Sequence, residues 1–104
     1  LALNAQPRYL KQVMPRLMDN DSSLKSLDLT EYDGERYYND VTCRLLAMAC
    51  VHNDHLKSLD LSNNKITHVG ARFLAECLEE NKSITQLTMI NNQIGDKGAK
   101  DLTS

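Results

Sequence analysis

The chain has 104 residues, 41% hydrophobic and 25% charged, which fits one folded domain or part of one and excludes disorder and low complexity. Twelve basic and fourteen acidic residues leave a net charge of −2, so there is no basic nucleic-acid arm or polybasic membrane patch, and no apolar run reaches the ~18 residues of a membrane-spanning helix. Aromatic residues are only 5%, with no Trp and one Phe, so the core must be aliphatic.

In chain order, Leu1-Ala2-Leu3-Asn4 reads as the remnant of a strand. Leu10, Val13, Met14, Leu17 and Met18 share one face of a helix within residues 7–21, which Pro15 is expected to kink or break. Leu27 and Leu29, two apart, share one face of a short strand within 24–29. The stretch from Thr30 to Asp40 carries three of the four tyrosines. Leu45, Leu46 and Cys50 then follow at helical steps up to Asn53. A second strand holds Leu59 and Leu61. A third helix, capped by Thr67, holds Phe73, Leu74, Cys77 and Leu78 and ends at Asn81. A third strand holds Leu87 and Met89, and Asp96 is the expected cap of the helix after it.

Self-comparison explains this order. Leu56-Lys57-Ser58-Leu59-Asp60-Leu61 through Asn64 and Ile66 aligns with Ile84-Thr85-Gln86-Leu87-Thr88-Met89 through Asn92 and Ile94, an offset of 28. Gly70-Ala71 aligns with Gly98-Ala99, and Leu74 with Leu102. Leu24 to Leu29 repeats Leu56 to Leu61 at an offset of 32, whereas the helix residues before Asn53 match at 28. The extra residues therefore lie between Leu29 and Val41.

The motif Leu56-x-x-Leu59-x-Leu61-x-x-Asn64-x-Ile66, followed by Gly70-Ala71-x-x-Leu74-x-x-x-Leu78, resembles the leucine-rich repeat of the ribonuclease-inhibitor type. The resemblance implies an α/β solenoid, a right-handed βα horseshoe segment with short parallel strands on the concave face and helices on the convex face. It implies a single domain over 1–104, divided into a partial repeat (1–23), a repeat with the insertion (24–55), a repeat (56–83) and a truncated repeat (84–104). It further implies that Asn64 and Asn92 are buried amides bonded to the backbone of the turn. Tyr32 stands at this position in the first unit, so that turn is expected to be irregular. Gly70 and Gly98 are expected to serve close approach of helix and strand, or a permissive backbone step. The start at Leu1 and the stop two turns short of a full helix lead us to expect a fragment of a longer protein, with an uncapped end favouring end-to-end association.

Families with this repeat generally bind proteins, so the expected function is a non-enzymatic protein–protein interaction module. The alternative is a structural or substrate-recruiting segment of a larger regulator, effector or enzyme whose active part lies outside the chain. Three outward columns are predicted on the strands: Ser26, Ser58 and Gln86; Asp28, Asp60 and Thr88; Thr30, Ser62 and Ile90. Asp28 and Asp60 are adjacent like charges. Two readings of them stay open, an acidic binding site and a solvated face offset by Lys25 and Lys57. The insertion holds Tyr32, Arg36, Tyr37 and Tyr38, residue types enriched at interface hot spots. Its two readings are partner contact and tyrosines folded over the insertion's own backbone. Candidate partner-binding residues are therefore Asp28, Asp60, Ser58, Gln86, Thr88, Ile90, Tyr32, Arg36, Tyr37 and Tyr38.

No catalytic, cofactor or metal site is expected, and no nucleic-acid or membrane partner. Gly95-Asp96-Lys97-Gly98 aligns with Thr67 to Gly70 of the repeat, which accounts for its likeness to a phosphate loop. His52-x-x-His55 near Cys50 lacks a second ligand pair. Cys43, Cys50 and Cys77 are an odd set without a Cys-x-x-Cys pair, read as buried reduced thiols and hence as a cytoplasmic, reducing setting. The sequons at Asn20 and Asn81 matter only to a secreted chain.

Overall fold

A computed structural model describes residues 3–30 and 38–103, with side chains placed throughout except at 101 and 103. Three strands, β1 (Ser26–Asp28), β2 (Ser58–Asp60) and β3 (Gln86–Thr88), alternate with four helices, α1 (Arg8–Met18), α2 (Asp40–Cys50), α3 (His68–Glu80) and α4 (Gly95–Thr103). The strands form one parallel sheet in the order β1-β2-β3. Their register sets Leu27 beside Leu59 and Leu59 beside Leu87, so the repeat in sequence becomes a leucine column in space. Leu27, Leu29, Leu59 and Leu61 are buried against helix residues such as Leu46, Cys50 and Leu74. Each fully buried leucine contributes about 1.5–3 kcal/mol. This column is therefore the main source of cohesion in a core nearly without aromatics.

The segment Leu3–Ala5 forms a short 3-10 helix and not the expected strand. Pro15 does not end α1, which continues to Met18. The proline ring removes the bond to the Lys11 carbonyl, but both residues are exposed, so that carbonyl lies on the solvent side. Asn39 caps α2 with a reciprocal capping box to Thr42. Thr67 caps α3 as expected, accepting from the Val69 N–H. Asp96 lies inside the first turn of α4 and not at its cap, where it favours the positive helix end.

The glycines serve contact between helices more than contact between helix and strand. A Cβ on Gly70 would lie 2.5 Å from Asp40 Oδ1 and 3.0 Å from Cys43 Sγ, both on α2. A Cβ on Gly98 would lie 3.2 Å from His68 Cα and 3.3 Å from Ala71 Cβ, both on α3. Neither glycine has a positive φ. Asp40 also binds the start of the next helix: Oδ1 accepts from the N–H groups of Thr67 and Gly70 at 2.8 and 3.0 Å, and Oδ2 from the Thr67 hydroxyl at 2.5 Å.

Four asparagines join successive turns. The buried Asn64 donates from Nδ2 to the carbonyls of Leu29 and Leu61, both at 2.9 Å, while its Oδ1 accepts from the Tyr38 N–H. Asn92 does the same one turn on, donating to Leu61 and accepting from Ile66. At the opposite end of the strands, Asn53 donates to the Leu17 carbonyl and Asn81 to those of Cys50 and Asn53.

Asn64→Ala leaves the buried Tyr38 N–H and Leu29 carbonyl without partners, at about 1–3 kcal/mol each. A loss of roughly 3 kcal/mol is expected in urea unfolding, with a smaller loss for Asn92→Ala because Asn92 is only partly buried. Gly70→Ala should cost about 1–3 kcal/mol, since Asp40 is held by three bonds and cannot give way. Wild-type stability in Gly70→Ala would contradict the tight α2–α3 approach.

Candidate functional site

The open face of the sheet carries the side chains that alternate with the buried leucines. Ser26, Gln86 and Asp28 are exposed, and Ser58, Asp60 and Thr88 are half-buried. The register sets Asp28 beside Asp60 and Asp60 beside Thr88. The first two predicted columns thus exist in the predicted order. The third does not hold: Ser62 is buried, and its hydroxyl accepts the Ile90 N–H at 3.1 Å. The strands end at Asp28, Asp60 and Thr88, so the two-residue alternation has no force at the next position. Ile90 itself is 64% exposed.

Each aspartate has a structural duty. Asp28 Oδ1 accepts from the Thr30 N–H at 3.0 Å, and Asp60 Oδ1 accepts from the Ser62 N–H at 2.9 Å. These bonds turn the chain out of the strand. Neither Lys25 nor Lys57 forms an ion pair with them among the described residues, where the ion pairs are Arg16–Asp21 and Arg72–Glu76. The Asp21 carboxyl is held well below its ordinary range, first by the Arg16 guanidinium and then by Ser23.

Tyr38 is buried in the core, with its N–H on Asn64 and its carbonyl accepting from the Lys65 N–H, so it offers no contact surface. This corrects the expectation of a surface residue, and it adds a tyrosine to the aliphatic core. Tyr32, Arg36 and Tyr37 lie outside the described residues. Asn81, the first residue of a sequon, is buried with both amide atoms bonded.

All three cysteines are free and buried. Burial pushes the Cys43 thiol from 9.0 up to about 12, helped by the Asp40 charge, and burial with Cys77 nearby raises Cys50 to about 12. Burial also raises Cys77. Such thiols are poor nucleophiles. Among the described residues no group of three His, Cys, Asp or Glu side chains is placed to hold a metal ion.

Among the described residues the surface includes two apolar hollows, and sequence reasoning missed the first. It lies between α1 and α2, with Met14, Met18, Leu45 and Met48 in its lining. The second lies beside β3 and α4, with Leu87, Met89, Ile94 and Leu102 in its lining. No helix is long and apolar enough to cross a membrane among the described residues.

The family model for the Leucine Rich repeat matches residues 52–75 and 80–102, and the chain is a leucine-rich repeat protein. No curated protein matches the sequence. Among solved structures, leiomodin-1 actin-binding site 2 is similar with a TM-score of 0.68 at 18% identity, over 92% of this chain and 71% of that one. The tropomodulin C-terminal domain of Caenorhabditis elegans is similar with a TM-score of 0.76 at 22% identity, over 89% of this chain and 54% of that one. At these identities the likeness is one of fold.

The thiols give a pH expectation. A group whose pKa is higher in the folded than in the unfolded state stabilises fully below the unfolded value and loses that effect as pH rises toward the folded one. Cys43 and Cys50 should thus cost the fold stability between pH 9 and about 12. Cys43→Ala/Cys50→Ala should flatten this loss in urea titrations. At about pH 8 iodoacetamide should label them only after unfolding, and rapid native labelling would contradict their burial.

Proposed function

We propose that this chain is a non-enzymatic protein-binding module whose concave strand face, together with the insertion bearing Tyr32, Arg36 and Tyr37, receives a protein partner. The observation that carries the reading is the registered array of outward polar side chains, Ser26, Asp28, Ser58, Asp60, Gln86 and Thr88, on a braced sheet. Such a surface is shaped for a broad partner. Ile90, exposed at the rim, supplies an apolar anchor. The leiomodin-1 domain similar in fold is an actin-binding site, which makes actin the first partner to test. The 28-residue step between β2 and β3 supports the ribonuclease-inhibitor type of repeat in a horseshoe segment. The buried free thiols support a reducing, cytoplasmic setting.

The second reading is a structural or substrate-recruiting segment of a larger regulator, effector or enzyme. The hollow beside β3 and α4 favours it, because Leu87, Met89, Ile94 and Leu102 are only partly covered there. A further repeat or a second copy of the chain would cover them.

Asp28→Asn/Asp60→Asn is the discriminating variant. It keeps the oxygens that accept from Thr30 and Ser62 and removes both charges. With co-sedimentation on actin, and with any partner captured by the chain, the double variant and Ile90→Ser should each bind at least about tenfold more weakly, or ~1.4 kcal/mol, with unchanged thermal unfolding. Equal binding by both variants removes the strand face from the interaction. A chain that captures no partner, yet gains stability when further repeats are fused to it, supports the structural reading.

A further inference from the structure

The first hollow, between α1 and α2, has a volume of about 440 Å3. Met14, which is 4% exposed, lies among its lining, while Met18 and Met48 are 68% and 67% exposed. Leu3, with Leu45 and Ala49 of α2, adds to its apolar wall, and His52 also lines it. Its origin is a break in the helix packing. The glycine that lets α3 approach α2, and α4 approach α3, is replaced at the matching place in α2 by Thr42. Thr42 is buried and donates its hydroxyl to Gln6, so α1 and α2 make much the slighter contact.

Among the described residues the charges around the hollow are one-sided. Lys11 lies one turn before Met14 on α1, and Arg44 one turn before Met48 on α2. Both are exposed, and neither side chain has an ion-pair or hydrogen-bond partner among the described residues. α1 contains no carboxylate, and the Asp40 carboxylate of α2 is spent on the start of α3. Asp19 and Asp54 stand only past the C-terminal ends of the two helices, and Asp54 accepts from Asn20. The next repeat shows what is missing. In α3 the counterpart of Arg44 is Arg72, which pairs with Glu76 at 3.2 Å, and Glu76 is the counterpart of Met48. In α2 the internal carboxylate has been exchanged for an exposed methionine, leaving a cation beside an apolar recess.

We infer that this hollow docks an acidic amphipathic helix from a partner protein. Apolar side chains at helical spacing enter between Met18, Leu45 and Met48, and carboxylates on the flanks meet Lys11 and Arg44. Methionine side chains adapt to such an insert. An anionic membrane would match the charge but not the shape, since a flat surface does not reach a lining side chain as buried as Met14.

The test is to pan a display library of helical peptides against the purified chain. The expected binders carry apolar residues at i, i+3 or i+4 and i+7 with an excess of Asp and Glu. Their affinity should fall at least tenfold with Met48→Glu or Met18→Glu, and likewise with Lys11→Glu/Arg44→Glu, while Asp28→Asn/Asp60→Asn leaves it unchanged. Circular dichroism checks folding, and Met48→Gln replaces any Glu variant that does not fold. Four results overturn the inference: no helix recovered; binders without acidic excess or indifferent to Met48; binding of phosphatidylserine vesicles that Met48→Glu abolishes; or a dimer in sedimentation that Met48→Glu disperses.

Discussion

A three-residue strand pairs too few of its backbone groups to secure the turns at its ends. The side-chain amide of asparagine makes up the difference, and the rest of the structure depends on it. One amide offers two donors and an acceptor, so a single buried Asn64 meets carbonyls of its own turn and of the turn before, and an N–H near the start of the helix before. Asn81 does the same at the other end of the strands, reaching Cys50 and Asn53 while its oxygen receives Ser83 and Ile84. A network closed in this way leaves no buried side-chain polar atom without a partner among the described residues. Leucine burial supplies cohesion without direction, and the asparagines decide which turn lies on which.

With the turns located by asparagine, the spacing of the helices falls to position 70 and its counterparts. Glycine there brings α3 so near α2 that Asp40 can cap a helix other than its own. That bond crosses the repeat boundary and is charged, so it orients more than it attracts. Where the chain has Thr42 instead, a hydroxyl–amide bond to Gln6 holds α1 at a distance. The same helical position thus sets either a closed seam or an open one.

The leucine register, the sheet order and the role of Asn64 are legible in the sequence because each depends on a residue type recurring at a fixed step. The three thiols are legible as buried because they fall on helical core faces. What is not legible arises where the repeat is broken. Tyr38 stands 28 residues before the buried Ile66 and repeats its bonds, its N–H on Asn64 as that of Ile66 is on Asn92, but grouping it with the extra residues hides this correspondence. Asp40 aligns with His68 and Asp96, a column interrupted by a histidine, and the closeness permitted by Gly70 gives it a role that the alignment does not show. Ser62 alternates correctly on paper, but the strand has already ended. Pro15 has the residue type of a helix breaker, yet its position on the exposed side of α1 makes the lost bond cheap.

The two surfaces of the molecule arise by different routes, and this bears on how they can evolve and act. The open sheet face is a product of regularity: every added repeat would add one more row in the same register, and its aspartates are retained partly because they turn the chain. Its charge is therefore tied to the fold. The hollow between α1 and α2 is a product of irregularity, made by Thr42 in place of glycine and by Met48 in place of a carboxylate. No turn, cap or sheet bond passes through Met18 or Met48, so these positions vary without disturbing the asparagine ladder. A surface so decoupled from the stability of the fold can take up binding that the repeat itself does not encode.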